Sequence, residues 1–427
     1  MNLRFSNFNF IKWKFVLEIT FLVALCFIFT FNVFIYYLIW IFLINLKIKI
    51  NSNYKIFALI HIFFVYIYIF LKYREYNDQT IFWDMQNFLL LTNCNKMSSF
   101  EYTFINSNKI SECISDLGFG PLSYIITTSL NIQIFTYSIA FFFLIYLAYI
   151  INGFLKDDSF IFNTFLLVTP SVIFLFEALN PDIIFAGYLI YKLRNKKSLK
   201  NLKIIELVFI SLFTQIKIYS VVYLVSIIVL RFLKKEPIKI YMLFALINIY
   251  ILFEHYFING NSTPIVSSVN RTFGLLSDYI IINNTAGNNF FIIYLMSVPV
   301  IFMFLKNYLF INKKYENKIS NENTAIVFPM LFVIMFFANY GYKFIFVVIY
   351  FLYIHKREPV LIHNIFIISL TTTPLLSFFG FDFDGSLYNI LFFGLNRVSI
   401  LFLLIYLLTT YIKLISIFYM EYKEKVS

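Results

Sequence analysis

Asp84 and Lys217 are ionisable residues set in apolar and aromatic company, and such residues are where chemistry is first sought. Asp84 stands in Phe82-Trp83-Asp84-Met85, and an apolar setting makes a carboxylate a better proton acceptor. The same residues also suit an interfacial helix that Asp84 caps, with Trp83 as a belt aromatic. Lys217 lies between Gln215 and Tyr219, at the junction of two apolar runs. A phosphate is a fitting partner for a lysine there; the alternative is an ammonium that snorkels to lipid head groups. Lys343 occupies a comparable junction, Asn339-Tyr340-Gly341-Tyr342-Lys343. Arg271, in the polar stretch Asn270-Arg271-Thr272-Phe273-Gly274, suits a solvated role equally well.

Other residue types point to less. Asp382 and Asp384, in Phe-Asp-Phe-Asp-Gly, could chelate a divalent cation, but Asp-rich turns ending in Gly are common. The four histidines, His61, His255, His355 and His363, have no metal-ligand spacing, so no metal site and no cofactor is expected. Cys94 and Cys113 share one hydrophilic segment and read either as a disulfide or as two free thiols. The sequence contains no Gly-rich phosphate loop, serine nucleophile elbow or internal repeat.

The elements that must position these residues follow from composition. Of 427 residues, 61% are hydrophobic, 22% aromatic and only 13% charged, about half the charged fraction of ordinary soluble domains. Apolar stretches of the length a bilayer crossing needs, roughly 20 residues, recur along the chain. They include residues 15–46, 56–71, 135–154, 238–257, 290–305 and 391–411. Continuous apolarity, rather than period-two alternation, selects helices over a barrel. The expected fold is all-α: one polytopic transmembrane helical bundle over residues 1–427, in a cell (inner or cytoplasmic) membrane. No small-residue cleavage site follows the first apolar run, which therefore reads as a retained segment.

The net charge of +12 does not signal nucleic-acid binding, because the basic residues cluster between apolar runs and act as topology signals. Segments 46–55, 154–159, 192–203, 231–239, 306–323, 355–358 and the tail from 413 hold 23 of the 34 Lys and Arg residues and are assigned to the cytoplasmic face. The opposite, outer face gathers Asp84, Asp182, Lys217, Arg271 and Lys343. Three stretches are too short for full spans: 204–216 with 218–230, hinged at Lys217; 182–191, approached through Asn180-Pro181; and 118–131. At 1.5 Å per residue, a run of 13 reaches only about 20 Å. Short helices at membrane depth are tolerated where protein or a polar cavity surrounds them. The loop at 72–120 adds short amphipathic elements at 84–91 and 102–105, suited to the membrane surface.

In this order, Trp83-Asp84-Met85, Phe119-Gly120-Pro121-Leu122, Leu179-Asn180-Pro181-Asp182, Ile216-Lys217-Ile218-Tyr219, Arg271-Thr272-Phe273-Gly274 and Asn339-Tyr340-Gly341-Tyr342-Lys343 carry a family likeness. Over about residues 60–350 the chain resembles the integral-membrane GT-C glycosyltransferases, most closely the polyprenyl-phosphate-sugar-dependent enzymes of glycosyltransferase family 87. Gly120 stands where the family has Pro, and Lys343 where it has Arg. The resemblance implies a GT-C-like bundle with interfacial and half-membrane helices on the outer face. It implies metal-independent, inverting transfer of a sugar from a polyprenyl-phosphate donor to a glycan or lipid acceptor. Asp84 would be the general base, and Lys217 and Lys343, with Arg271, would neutralise the departing phosphate. Trp83, Asn180, Asp182 and Tyr219 would complete the substrate-binding set.

Two other readings compete. Polysaccharide polymerases and ligases that use undecaprenyl-diphosphate-linked glycans place their large outer loop late in the chain, whereas here it comes early. A transporter or flippase would be favoured by inverted repeats, which the sequence does not show.

Overall fold

The computed structural model describes residues 33–45, 59–68, 160–169, 180, 182–195, 198–217, 219–254, 272–273, 318–336, 339–340, 343, 345–350 and 387–424. Scattered positions within 20–28, 172–175, 296–303 and 362–369 are also described. In chain order the helices are α1 (Val33–Asn45), α2 (Leu59–Tyr68), α3 (Phe160–Leu167), α4 (Asp182–Arg194), α5 (Ile204–Thr214), α6 (Ser220–Leu233) and α7 (Lys239–Phe253). Strand β1 (Thr272–Phe273) follows, then α8 (Lys318–Phe336), β2 (Asn339–Tyr340), α9 (Ile345–Ile349) and α10 (Leu387–Glu424). The described residues are thus all-α apart from one two-residue antiparallel bridge, β1 with β2.

α10 contains Gly394–Glu424, which is long and apolar enough to cross a membrane; among the described residues the other apolar helices are shorter. The expected spans at 135–154 and 290–305 are, respectively, outside the described residues and described only at isolated positions.

The sequence reading of two short runs hinged at Lys217 matches α5 and α6, which pack on each other as a hairpin. α5 starts where Glu206 accepts the backbone N–H of Lys203 at 2.7 Å, which satisfies a donor the helix start leaves open. It ends at Gln215, whose N–H still bonds back to Ser211 and Leu212. α6 ends with Lys235 in the left-handed region at φ 58°, its N–H on the Phe232 carbonyl and that of Glu236 on Arg231. This six-to-one closure normally uses Gly. Here it turns the chain towards α7 and brings Glu236 back beside the hairpin's base.

α6 is the centre of the assembly: α5, α7, α8 and α10 all pack against it, and α4 packs on α9. The core is aliphatic and aromatic, with Phe185, Tyr223, Leu224, Phe328, Phe346 and Tyr406 fully buried. α1 packs on α3, and both contribute to the same core. There the Tyr37 and Tyr66 hydroxyls donate to the Val168 and Leu167 carbonyls, each at 2.7 Å. These tyrosines satisfy the open carbonyls at the end of α3, with water excluded. His61, buried on α2, exchanges a 2.9 Å hydrogen bond with the Tyr36 hydroxyl, which makes it a satisfied interior histidine.

Candidate functional site

α4 begins at Asp182 because the preceding residues form a helix start. Asn180 Oδ1 accepts the Asp182 N–H at 3.0 Å, and the Asn180 carbonyl accepts from Ile183 at 3.1 Å. The sequence puts Pro at the position between, where a missing N–H costs nothing. The carboxylate of Asp182 is then held in the first turn, where the helix dipole favours negative charge.

Asp182 is fully buried and faces the α5–α6 hinge. Its Oδ1 accepts the Tyr219 hydroxyl at 2.7 Å and lies 3.9 Å from Lys217 Nζ. Lys217 is itself 6% exposed, so the pair is an interior one rather than a surface contact. Lys343 sends its ammonium over the Tyr219 ring, 5.5 Å from the centroid. Three of the residues singled out in the sequence, Asp182, Lys217 and Lys343, therefore meet around a fourth, Tyr219, and Asn180 anchors the helix that supplies the carboxylate.

Phenyl rings wall this group. Phe185 stacks on Phe213 with centroids 5.1 Å apart, and Tyr219 meets Phe346 edge-on at 5.4 Å. Phe185 also approaches Tyr219 at 6.4 Å. Such a wall lowers the local dielectric and strengthens each charge interaction inside it. Asp182 Oδ2 is buried and makes no hydrogen bond.

A polar seam runs from the hinge between α5 and α7. Gln215 Nε2 donates to Asn248 Oδ1 at 2.6 Å, and Asn248 Nδ2 donates to Ser211 Oγ at 2.9 Å. Thr214 and Ser220 close the hinge through a 2.9 Å hydroxyl contact. Sequence reasoning passed over Asn248, which sits alone in the apolar helix α7; an amide in so apolar a run was its signal.

The β1–β2 bridge sets Thr272 opposite Tyr340 and Phe273 opposite Asn339. The segment following Arg271 and the segment leading to Lys343 are therefore backbone neighbours. Arg271 itself, Asp84, Trp83, Asp382, Asp384, Cys94 and Cys113 lie outside the described residues.

At the opposite end of α5 a second charged group forms from the segments around 192–206 and 231–239 and the start of α8. Lys192 pairs with Glu206 at 2.9 Å, and Lys200 with both Glu236 and Glu322. Lys234 pairs with Glu322, and Arg231 with Glu236 at 3.5 Å while its guanidinium covers the Tyr241 ring. Burial pushes the Glu322 carboxyl up, but the hydrogen bond and charge of Lys234, joined by Lys200, outweigh it and hold the group below its ordinary value of 4.5.

The chain matches no protein-family model, no curated protein and no solved structure.

Proposed function

We propose that this protein is a multi-pass membrane glycosyltransferase that moves a sugar from a polyprenyl-phosphate donor to a glycan or lipid acceptor with inversion. The observation that carries the reading is the meeting of Lys217, Lys343 and Asp182 about Tyr219, within an aromatic wall. Among the described residues two cations and one carboxylate gather there, and cations so placed suit the phosphate of a lipid-linked donor. The apolar exterior supports a bilayer as solvent: Leu243, Leu246, Tyr250 and Phe253 of α7 are exposed, as are Ile204, Ile205 and Leu212 of α5. A membrane of the cell envelope, where nucleotide sugars are absent and lipid-linked sugars are present, is the fitting location.

In the reaction, the acceptor oxygen attacks the anomeric carbon as the bond from that carbon to the phosphate oxygen breaks. Asp84 takes the acceptor proton, and polyprenyl phosphate leaves with the bonding electrons. Lys217 and Lys343 meet the charge that develops on the leaving oxygen; a cation aimed there lowers the barrier by a few kcal/mol. Arg271, which immediately precedes β1 in the sequence, is assigned the same role. Asn180 and Tyr219 complete the described part of the substrate-binding set, and Trp83 is assigned to it from the sequence.

Purified protein in lipid nanodiscs, given a panel of polyprenyl-phosphate sugars and candidate acceptors, tests this. Transfer that falls at least about a hundredfold in Asp84→Asn and in Lys217→Gln is expected. Full activity in Asp84→Asn would remove that residue as base, and no transfer from any polyprenyl-phosphate sugar would overturn the reading.

A further inference from the structure

We infer that Asp182 is the positioning residue of the site: one buried carboxylate that orients both phosphate-binding cations without touching the substrate. The inference rests on the proposed phosphate site and gives Asp182 a role distinct from substrate contact.

The geometry gives Asp182 two outputs. Directly, its Oδ1 lies 3.9 Å from Lys217 Nζ. Indirectly, the same oxygen accepts the Tyr219 hydroxyl at 2.7 Å, and the Tyr219 ring carries the Lys343 ammonium at 5.5 Å. The hydrogen bond fixes the hydroxyl end of the ring, and so where the ring stands, and a cation over a ring is attracted to its face. Displacing the ring would therefore move the seat of Lys343. Asp182 is in turn fixed by the Asn180 helix start, so the whole arrangement refers back to one cap.

The distances separate this pair from a structural one. Lys192 and Glu206 stand at 2.9 Å, within hydrogen-bond range. Lys217 and Asp182 at 3.9 Å attract through charge but are too far apart for a hydrogen bond. Asp182 Oδ2 also makes no hydrogen bond, so the carboxylate is not saturated by the protein. Full burial of Asp182 keeps the carboxylate from touching the substrate.

The test is a set of double-mutant cycles with a defined probe: farnesyl phosphate titrated against the full-length protein in nanodiscs, scored per folded molecule. The wild type binds it, and Lys217→Gln weakens binding about tenfold, the scale of one charged hydrogen bond. Asp182→Asn also weakens it about tenfold, although it removes a negative charge near the phosphate. In the Lys217→Gln background the further loss from Asp182→Asn shrinks to under about threefold, because a positioning residue acts through its partner. Tyr219→Phe keeps the ring and the packing but cuts the link. It weakens binding about threefold, and that loss disappears in Asp182→Asn.

Tighter or unchanged binding in Asp182→Asn, or losses that add fully with Lys217→Gln, would overturn the inference while leaving the phosphate site standing. Should Asp182→Asn not fold, an undiminished affinity in Tyr219→Phe overturns it instead. Failure of the wild type to bind farnesyl phosphate, or equal binding by Lys217→Gln, would remove the phosphate site and this inference together.

Discussion

The two ends of the α5–α6 hairpin use the same residue types in opposite ways. At the base, Lys192, Lys200, Arg231 and Lys234 are bonded to Glu206, Glu236 and Glu322 in a closed lattice of ion pairs. At the tip, about 16 Å away along α5, Lys217 faces the Asp182 carboxylate and Lys343 lies over the ring of Tyr219, whose hydroxyl that carboxylate holds. The base also has backbone partners for its cations, since Lys192 and Arg231 reach the carbonyls of Asn201 and Pro237. Charge at the base is consumed by the fold and fixes where the connecting segments lie. Charge at the tip is arranged around an aromatic ring, with one carboxylate oxygen making no hydrogen bond. Charge paired at hydrogen-bond range stabilises geometry, whereas cations gathered about an aromatic ring in a low dielectric can bind an anion.

The contrast can be broken most severely at the tip. Lys217→Met leaves Asp182 as a buried carboxylate without its cation and should destabilise the fold by about 3–5 kcal/mol. Transfer per folded molecule should also drop about a hundredfold. Adding Asp182→Asn should return most of the stability but none of the transfer. Thermal unfolding in detergent together with the transfer assay reads both quantities.

At the base the same kind of change should separate stability from activity. Glu322→Gln removes the partner of Lys234 and of Lys200 and should cost about 2 kcal/mol, with transfer per folded molecule unchanged. The Glu322 carboxyl titrates in the folded protein below its ordinary value of 4.5. Its contribution is therefore fully present above that ordinary value and is lost as pH falls through the lower folded one. Thermal midpoints followed from pH 7 to pH 3 should be less steep on the acid side in Glu322→Gln than in the wild type.

Two smaller changes sharpen the picture. Asn248→Leu leaves Gln215 and Ser211 without their α7 partner and should cost about 1 kcal/mol, with a modest loss of transfer because the hinge loosens. Lys235→Gly should stabilise by up to about 1 kcal/mol, since Gly occupies the left-handed region without the steric cost of a side chain. The gain is partly offset by loss of the Lys235 ammonium from over the Tyr422 ring. Equilibrium unfolding monitored by tryptophan fluorescence resolves both.

The residues that sequence reasoning brought forward fared according to how local their signal was. Asn180 and Asp182 were visible as a helix start because a cap needs only neighbours within three positions. The hinge at Lys217 was visible because a lone cation interrupts two apolar runs. The pairing of Asp182 with Lys217 was not visible, because any of the outer-face acids could have answered that lysine. The base lattice was read only as basic linkers: Glu206, Glu236 and Glu322 are far apart in sequence, and each looks like an ordinary solvated carboxylate.

By itself the sequence determined the helical class, the apolar character of the helices and the break at Lys217, since each depends on runs of side chains along one segment. Tertiary structure decided which carboxylate meets which cation, that Tyr219 stands between Asp182 and Lys343, and that the segments after Arg271 and before Lys343 lie side by side. The physical reason is range. Helix formation and capping act over three or four residues, whereas a charge pair depends on distance in space, and the packing of separate helices sets that distance.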